Sequence, residues 1–430
     1  MYRKFSERLP EWKKSPYRKP LLLQGARQVG KTYSVLEFGQ KQYDNVVYLN
    51  FETSRVPDSL FDDLNPKILV SKLSNFLKQN ISKRDTLLFF DEIQICPRAL
   101  TSLKYFCEFA PEYHIIAAGS LLGVAVNREE FSFPVGKVDR LTVYPLDFEE
   151  FLYALGQKEH VETIRICFEN NTPMDEYWHR ALLEFYHQYL LVGGMPECVL
   201  KFVETQDYIL IRTIQEQILI DYLDDMGKYN QKNEIKKTRL IYDNITIQLS
   251  KKNTRFQYKL IKKGGRAAEF ENAIEWLALS GIITPIYFLD TIKKPLDNYK
   301  NMDAFKVFVS DIGLLSAKKK LLPEDVLYNF AELDDFKGGM TENYVCNQLI
   351  SKVFDCYTWH SEGEAELDFI IQKDGAILPI EVKSADNAHA KSLKLYMKRF
   401  SPKYAIKISA NNFGFENNVK TIPLYAIFCL

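Results

Sequence analysis

One octapeptide constrains this chain of 430 residues more than any other feature: Gly25-Ala26-Arg27-Gln28-Val29-Gly30-Lys31-Thr32. It follows the apolar run Leu21-Leu-Leu directly and opens an amphipathic stretch that continues through Tyr33 to Phe38. A glycine-rich turn between a buried strand and a helix N-terminus aims successive backbone N–H groups at one point, which is a cradle for a polyphosphate. In this pattern Lys31 neutralises the outer phosphates and the Thr32 hydroxyl is an oxygen ligand for Mg²⁺. The nucleotide-binding set is therefore read as residues 25–33, with ATP the expected ligand.

The flanking sequence predicts an α/β fold. Val46-Val-Tyr-Leu-Asn-Phe, Leu87-Leu-Phe-Phe, His114-Ile-Ile-Ala-Ala and Leu141-Thr-Val-Tyr are short apolar runs separated by helical patterns, the texture of a buried parallel sheet. Asp91-Glu92 ends one of these strands. Beside a phosphate loop, Asp91 is expected to hold Mg²⁺ and Glu92 to orient and deprotonate the attacking water. Ser120 ends the next strand and is either a sensor of the γ-phosphate or a simple turn. Arg128 and Arg140 are candidates for an arginine acting between subunits; surface or packing roles are the alternative.

Composition excludes several classes. Lys plus Arg and Asp plus Glu are 56 each, so no bulk charge marks a nucleic-acid or membrane partner. No apolar run approaches the ~20 residues of a membrane span, and no secretory signal opens the chain. The seven cysteines form no C-x-x-C pair, which argues against a zinc site or a disulfide scaffold. A cytoplasmic location is expected. From Phe148 to about Tyr229 the pattern is helical, and Gly193-Gly-Met-Pro-Glu197 interrupts it. Between Leu249 and Arg266 lie seven basic residues and no acid, with Phe256 and Tyr258 among them. That stretch reads either as a duplex-binding face or as a solvated basic face.

A second constellation lies near the C-terminus. Asp374-Gly375 between two apolar runs signals a two-residue hairpin. Pairing about that turn sets Asp368 opposite Glu381 and Glu366 opposite Lys383, all on one face. Opposed carboxylates need compensation, and a divalent cation with an adjacent lysine supplies it. Asp368 and Glu381 are the expected ligands of Mg²⁺ or Mn²⁺, and Lys383 would position or activate water. Glu342 would be a further ligand or merely an acid near the start of a helix from Thr341 to Val353. A salt-bridge ladder is the bland alternative. His389 reads as a surface residue.

Taken in order, the phosphate loop, Asp91-Glu92, Ser120, Val143-Tyr-Pro-Leu-Asp-Phe-Glu-Glu-Phe151, Gly193–Glu197, Asp368 and Glu381-Val-Lys383 resemble a known family. It is that of the bacterial and archaeal AAA+ ATPases fused to a C-terminal domain of unknown function with a PD-(D/E)XK nuclease-like core. The resemblance spans nearly the whole chain. It implies an ATPase core at 1–150, a helical lid at 151–229, a winged-helix-like module at 230–325 and a restriction-endonuclease-like domain at 326–430. Relatives carry glycine-arginine where this chain has Gly136-Lys137, with Arg140 nearby, which leaves the arginine finger unassigned. Two functions follow. One is an ATP-hydrolysing, DNA-associated enzyme with a Mg²⁺-dependent nuclease-like domain. The other is a nucleotide-dependent switch or scaffold whose C-terminal domain binds DNA or a protein without cutting. A homo-oligomer is compatible with either, and a small-molecule kinase would leave the C-terminal hairpin unexplained.

Overall fold

The computed structural model describes residues 1–120, 133–229, 232–251, 255–361, 365–383 and 391–430. These form two compact units, Met1–Tyr144 with Leu279–Gly281, and Pro145–Ala278 with Ile282–Leu430. The chain thus divides at Tyr144/Pro145, and the segments read as lid, winged helix and C-terminal domain share one unit.

In the first unit, helix α1 (Lys4–Lys14) precedes strand β1 (Leu21–Gln24) and helix α2 (Lys31–Gln42). Strands β2 (Asn45–Asn50), β3 (Thr86–Asp91), β4 (His114–Gly119) and β5 (Asp139–Thr142) follow, with helices α3 (Pro66–Leu77) and α4 (Pro97–Phe109) between them. All neighbours are parallel, in the order β2-β3-β4-β1-β5. Every residue of β3 and β4 is buried, as a central parallel strand covered on both faces requires. Leu88 and Phe90 pack with Leu69, Leu73, Leu103 and Phe106 of α3 and α4. Burying each such side chain contributes roughly 1.5–3 kcal/mol. The strand order sets the end of β4 between the end of β1, which carries the phosphate loop, and the end of β3, which carries Asp91.

The second unit begins with helices α5 (Phe148–Ala154), α6 (Lys158–Asn170), α7 (Glu176–Val192), α8 (Pro196–Thr205) and α9 (Tyr208–Tyr229). Helices α10 (Lys232–Leu249), α11 (Tyr258–Ile261) and α12 (Ala267–Leu279) lead into the hairpin β6 (Ile283–Leu289) and β7 (Lys300–Val309). Three helices and a hairpin are the element order expected of a winged helix. The hairpin does not stand alone, however. After α13 (Ile312–Lys318), α14 (Pro323–Leu327) and α15 (Asp334–Ser351) come β8 (Tyr357–His360), β9 (Glu366–Lys373), β10 (Ala376–Val382), α16 (Lys391–Phe400), β11 (Ala405–Ser409), β12 (Gly414–Glu416) and β13 (Val419–Pro423). All eight strands form one sheet, β12-β13-β11-β10-β9-β8-β6-β7. Gly193-Gly194 is the joint that fastens α7 and α8 within this unit. The Leu146 N–H donates to Gly194 O at 2.7 Å, and the Gly194 N–H donates to Asp311 Oδ2 at 2.6 Å. A Cβ on Gly194 would lie 2.0 Å from Leu146 O, so only glycine fits.

Two expectations change here. Helix α15 starts at Asp334, not Thr341, so Glu342 lies well inside it and is not a helix-start acid. Phe256 is buried, stacked on Phe305 at 5.3 Å between ring centres, because an aromatic ring beside a hairpin gains more from packing than from exposure. It is not free to stack on a nucleic-acid base. Among the described residues, no helix is long and apolar enough to cross a membrane.

Candidate functional site

In the first unit the phosphate loop turns between β1 and α2. Gly25 has φ +145°, and a Cβ there would meet Val143 O at 2.1 Å. Strand β5 and its extension therefore crowd the loop too closely for any side chain at that position. The Lys31 ammonium donates to Gly25 O (2.9 Å) and Ala26 O (2.7 Å), curled inside its own loop. Burial lowers its pKa to about 8, against the opposing pull of Glu92 and Asp91. Arg27 pairs with Glu52 at 3.3 Å. Val29 is fully buried, and its carbonyl accepts from Arg3 Nη1 at 2.8 Å. Gln28 holds a positive φ in the turn. Tyr33 is 65% exposed, open to solvent on α2.

The acids stand at the end of β3. Asp91 Oδ2 accepts from Thr32 Oγ1 at 2.8 Å and from Tyr48 OH at 3.1 Å. Burial raises the Asp91 pKa, and the Thr32 bond works against that. Thr32 and Asp91 together present hard oxygens in contact, a donor set that fits Mg²⁺. Glu92 has φ 51° and ψ 43°, a left-handed conformation that costs a residue with a side chain roughly 1–3 kcal/mol. Its Oε2 accepts from Gln94 Nε2 at 2.6 Å and from Ser120 Oγ at 3.2 Å. Ser120 thus sits against the expected base, at the strand end between the two halves of the site. The sequence reading missed Gln94, whose only signal was its position two residues after Glu92. It also missed Tyr48 and Arg3.

Of the two finger candidates, Arg128 lies outside the described residues. Arg140 is exposed, with its guanidinium 4.3 Å over the Phe133 ring. Lys137 pairs with Glu108 at 2.9 Å.

In the second unit, the β9–β10 pairs run from Ala376↔Lys373 to Ile380↔Phe369 about an Asp374-Gly375 turn with positive φ at both residues. This is the register that the hairpin argument requires, and it brings Asp368 and Glu381 to the same end of the ladder. Glu366 and Lys383 do not meet. The Lys383 N–H donates to Ile408 O at 2.8 Å as the chain turns towards β11, and its ammonium pairs with Glu381. Glu366 instead reaches Lys306.

Lys306 is the unexpected member. It comes from β7, is 1% exposed, and lies 3.2 Å from Glu342, 2.7 Å from Glu366 and 3.8 Å from Asp368. Burial acts to lower its pKa, but Glu342, Glu366 and Asp368 outweigh that and hold it above the ordinary lysine value. Burial pushes Glu342, Asp368 and Glu381 up. Asp368 Oδ2 accepts the Val382 N–H at 2.7 Å, and Glu381 Oε2 is buried without a hydrogen-bond partner among the described residues. Among the described residues, no three acidic, histidine or cysteine side chains are disposed to hold one metal ion. Of the expected metal ligands, Glu342 and Asp368 face the Lys306 ammonium, and Glu381 pairs with Lys383. The sequence carried a signal for Lys306, since one lysine inside the apolar run Ala304-Phe-Lys-Val-Phe-Val309 must find a partner when buried. His389 lies outside the described residues.

The five-stranded parallel sheet, its phosphate loop and the Asp91-Glu92 strand end define the first unit as a P-loop ATPase domain of the AAA class. In agreement, residues 17–152 match the family model of the AAA domain. Two models of domains of unknown function match residues 183–325 and 337–427. An uncharacterised protein of Methanocaldococcus jannaschii is 27% identical over 207 residues, which are 47% of this chain and 40% of that protein. The chain thus spans less than half the length of that curated relative. Among solved structures, a Walker-type ATPase of Pyrococcus abyssi is similar at 16% identity and TM-score 0.45, covering 74% of this chain and 95% of its own. The Aeropyrum pernix Orc1 protein, solved in complex with DNA, is similar at 12% identity and TM-score 0.31, covering 74% and 91%. DnaA of Aquifex aeolicus, bound to AMPPCP, is similar at 13% identity and TM-score 0.30, covering 65% and 89%.

Proposed function

We propose that this protein is an ATP-hydrolysing switch whose second unit binds a partner and does not cut nucleic acid. For hydrolysis, the loop N–H groups and Lys31 bind the phosphates of ATP, while Thr32 and Asp91 would hold Mg²⁺. That ion, when bound, supplies charge neutralisation at the phosphates. Glu92 accepts a proton from the attacking water. To do so it exchanges its hydrogen bonds with Gln94 and Ser120 for one to that water, which makes Ser120 the link between phosphate and base.

One observation carries the non-cleaving part: the buried Lys306 ammonium stands among the carboxylates where a nuclease needs a metal. The partner in this reading is a protein. Helix α12, third of the winged-helix-like series, has no basic residue and exposes Glu271 and Glu275, which repel a phosphate backbone. A second reading, Mg²⁺-dependent DNA cleavage by Asp368, Glu381 and Lys383, is favoured by the unpaired Glu381 Oε2.

The test is an assay of the purified protein with Mg²⁺ or Mn²⁺ on single- and double-stranded DNA, with and without ATP, beside Lys31→Ala and Glu381→Ala. The switch reading expects ATP turnover that Lys31→Ala abolishes, and intact DNA throughout. Cleavage lost in Glu381→Ala would overturn it in favour of the second reading.

A further inference from the structure

Strand β2 lies at the edge of the first unit's sheet, paired with β3 in the register Tyr48↔Phe89 and Asn50↔Asp91. Period-two alternation buries Val47 and Leu49 in the core and sets Tyr48 and Asn50 together on the other face. The Tyr48 ring packs on Phe89 at 5.3 Å between ring centres, and its hydroxyl reaches Asp91 Oδ2 at 3.1 Å. Asn50 decides the direction of that bond. Its Oδ1 accepts the backbone N–H groups of Glu52 (2.9 Å) and Thr53 (3.0 Å), which can only donate, so the amide cannot be reversed. Nδ2 is therefore the atom that donates to Tyr48 OH, at 3.2 Å. With its oxygen accepting from Asn50, the Tyr48 hydroxyl points its proton at Asp91. The line also returns to the phosphate loop. Glu52 pairs with Arg27 at 3.3 Å, and Thr32 donates to the same Asp91 oxygen at 2.8 Å. An edge strand is thus tied at both ends of this line to one loop.

We propose that Tyr48 is a positioning residue for Mg²⁺: its hydroxyl, aimed by Asn50, holds the Asp91 carboxylate in the orientation in which Asp91 and Thr32 take the ion. The inference rests on the reading of those two residues as the Mg²⁺ pair. A carboxylate oxygen has two lone-pair positions. The Thr32 and Tyr48 hydroxyls fill both on Oδ2, and the Glu92 N–H takes one on Oδ1 at 3.1 Å. Asp91 is thereby held at both oxygens, and among the described residues one position, on Oδ1, stays open. Without the Tyr48 hydroxyl a position opens on Oδ2 as well, and the carboxylate is free to turn about its Cβ–Cγ bond. Holding it still then becomes part of the cost of binding. Hydrogen-bond partners behind a metal-binding carboxylate typically set affinity by about 10–100-fold.

The test compares binding of a fluorescent, non-hydrolysable ATP analogue to the full chain in Mg²⁺ and in EDTA. The ratio of the two affinities isolates the ion's contribution, because a merely structural fault would lower both alike. Wild type should gain affinity from Mg²⁺, and Asp91→Ala should lose that gain. Tyr48→Phe keeps the ring on Phe89 and removes only the hydroxyl. Its gain from Mg²⁺ should fall roughly tenfold, with affinity in EDTA unchanged. A gain in Tyr48→Phe equal to that of wild type, while Asp91→Ala lacks it, overturns the role of Tyr48 and leaves the Mg²⁺ pair standing. A gain kept in Asp91→Ala, or none in wild type, overturns the pair itself and the inference with it. An equal fall in Mg²⁺ and in EDTA makes Tyr48 a packing residue only and overturns the inference too.

Discussion

Glu92 occupies a strained left-handed conformation and is held by two donors, an arrangement that fixes its carboxylate in one place. Glutamine in its position keeps the size and an acceptor oxygen but cannot take a proton. Glu92→Gln should therefore bind nucleotide normally and turn it over at least ~10²-fold more slowly, the usual contribution of a general base. Phosphate release beside fluorescent-nucleotide binding measures both, and unaltered turnover would remove Glu92 from that role. Lys31 offers a prediction in protons. Burial sets its pKa at about 8 without nucleotide. Anionic phosphates favour its charged form, so binding raises that pKa and takes up protons. Uptake should be clear at pH 8 and vanish near pH 6.5, read from calorimetry in buffers of different ionisation enthalpy. These two residues were legible in the sequence because their chemistry depends on local spacing. Lys306 was legible only as a buried lysine in need of a partner, because Glu342 and Glu366 come from elements that only the fold assembles.

At the scale of elements, Lys306 ties β7 to α15 and β9, and the Gly193-Gly194 joint ties α7 and α8 to the start of α13. Lys306→Met would leave buried carboxylates without their ammonium and should cost roughly 3–5 kcal/mol, the range for breaking one side of a buried pair. Denaturant unfolding would show it, and an unchanged midpoint would mean that the pairs are not formed in solution. At the joint, Asp311 is buried and its pKa is raised to about 6. A folded-state carboxyl that binds its proton more tightly than the unfolded one loses stability as pH rises from about 4 to about 6, and stays less stable above that. Wild-type melting temperature should carry this decline, and Asp311→Asn should lack it. The Gly193–Glu197 motif was legible only as a turn. Its reason is Leu146 on one side and Asp311 on the other, separated from Gly194 by 48 and 117 positions, as their hydrogen bonds to it make plain. The β9–β10 register from Ala376↔Lys373 to Ile380↔Phe369 was legible because a two-residue turn and alternation leave one solution. What alternation could not reveal was that the ladder ends at Ile380↔Phe369, beyond which Asp368 accepts the Val382 N–H and Lys383 departs towards β11.

For the whole molecule, the chain forms two compact units, and one eight-stranded sheet runs through the segments read as winged helix and C-terminal domain. Apolar periodicity identifies strands but not which strands are neighbours, so a hairpin that reads as the wing of one module can serve as the edge of another. Residues 326–430 expressed alone should form aggregates, because β8 would lose β6 and the carboxylates would lose Lys306. Residues 282–430 should be the more soluble of the two, as size-exclusion chromatography would show. Solubility of the shorter piece equal to that of the longer would deny the hairpin its place in the sheet. The segments matched by separate family models, 183–325 and 337–427, thus share one sheet, with β6 and β7 in the first and β8 to β13 in the second. An exchange between two relatives at the seam near residue 330 would join a β7 from one lineage to acids from another. Unless the first parent carries a lysine at the position of Lys306, such a hybrid would bury Glu342 and Asp368 without their ammonium.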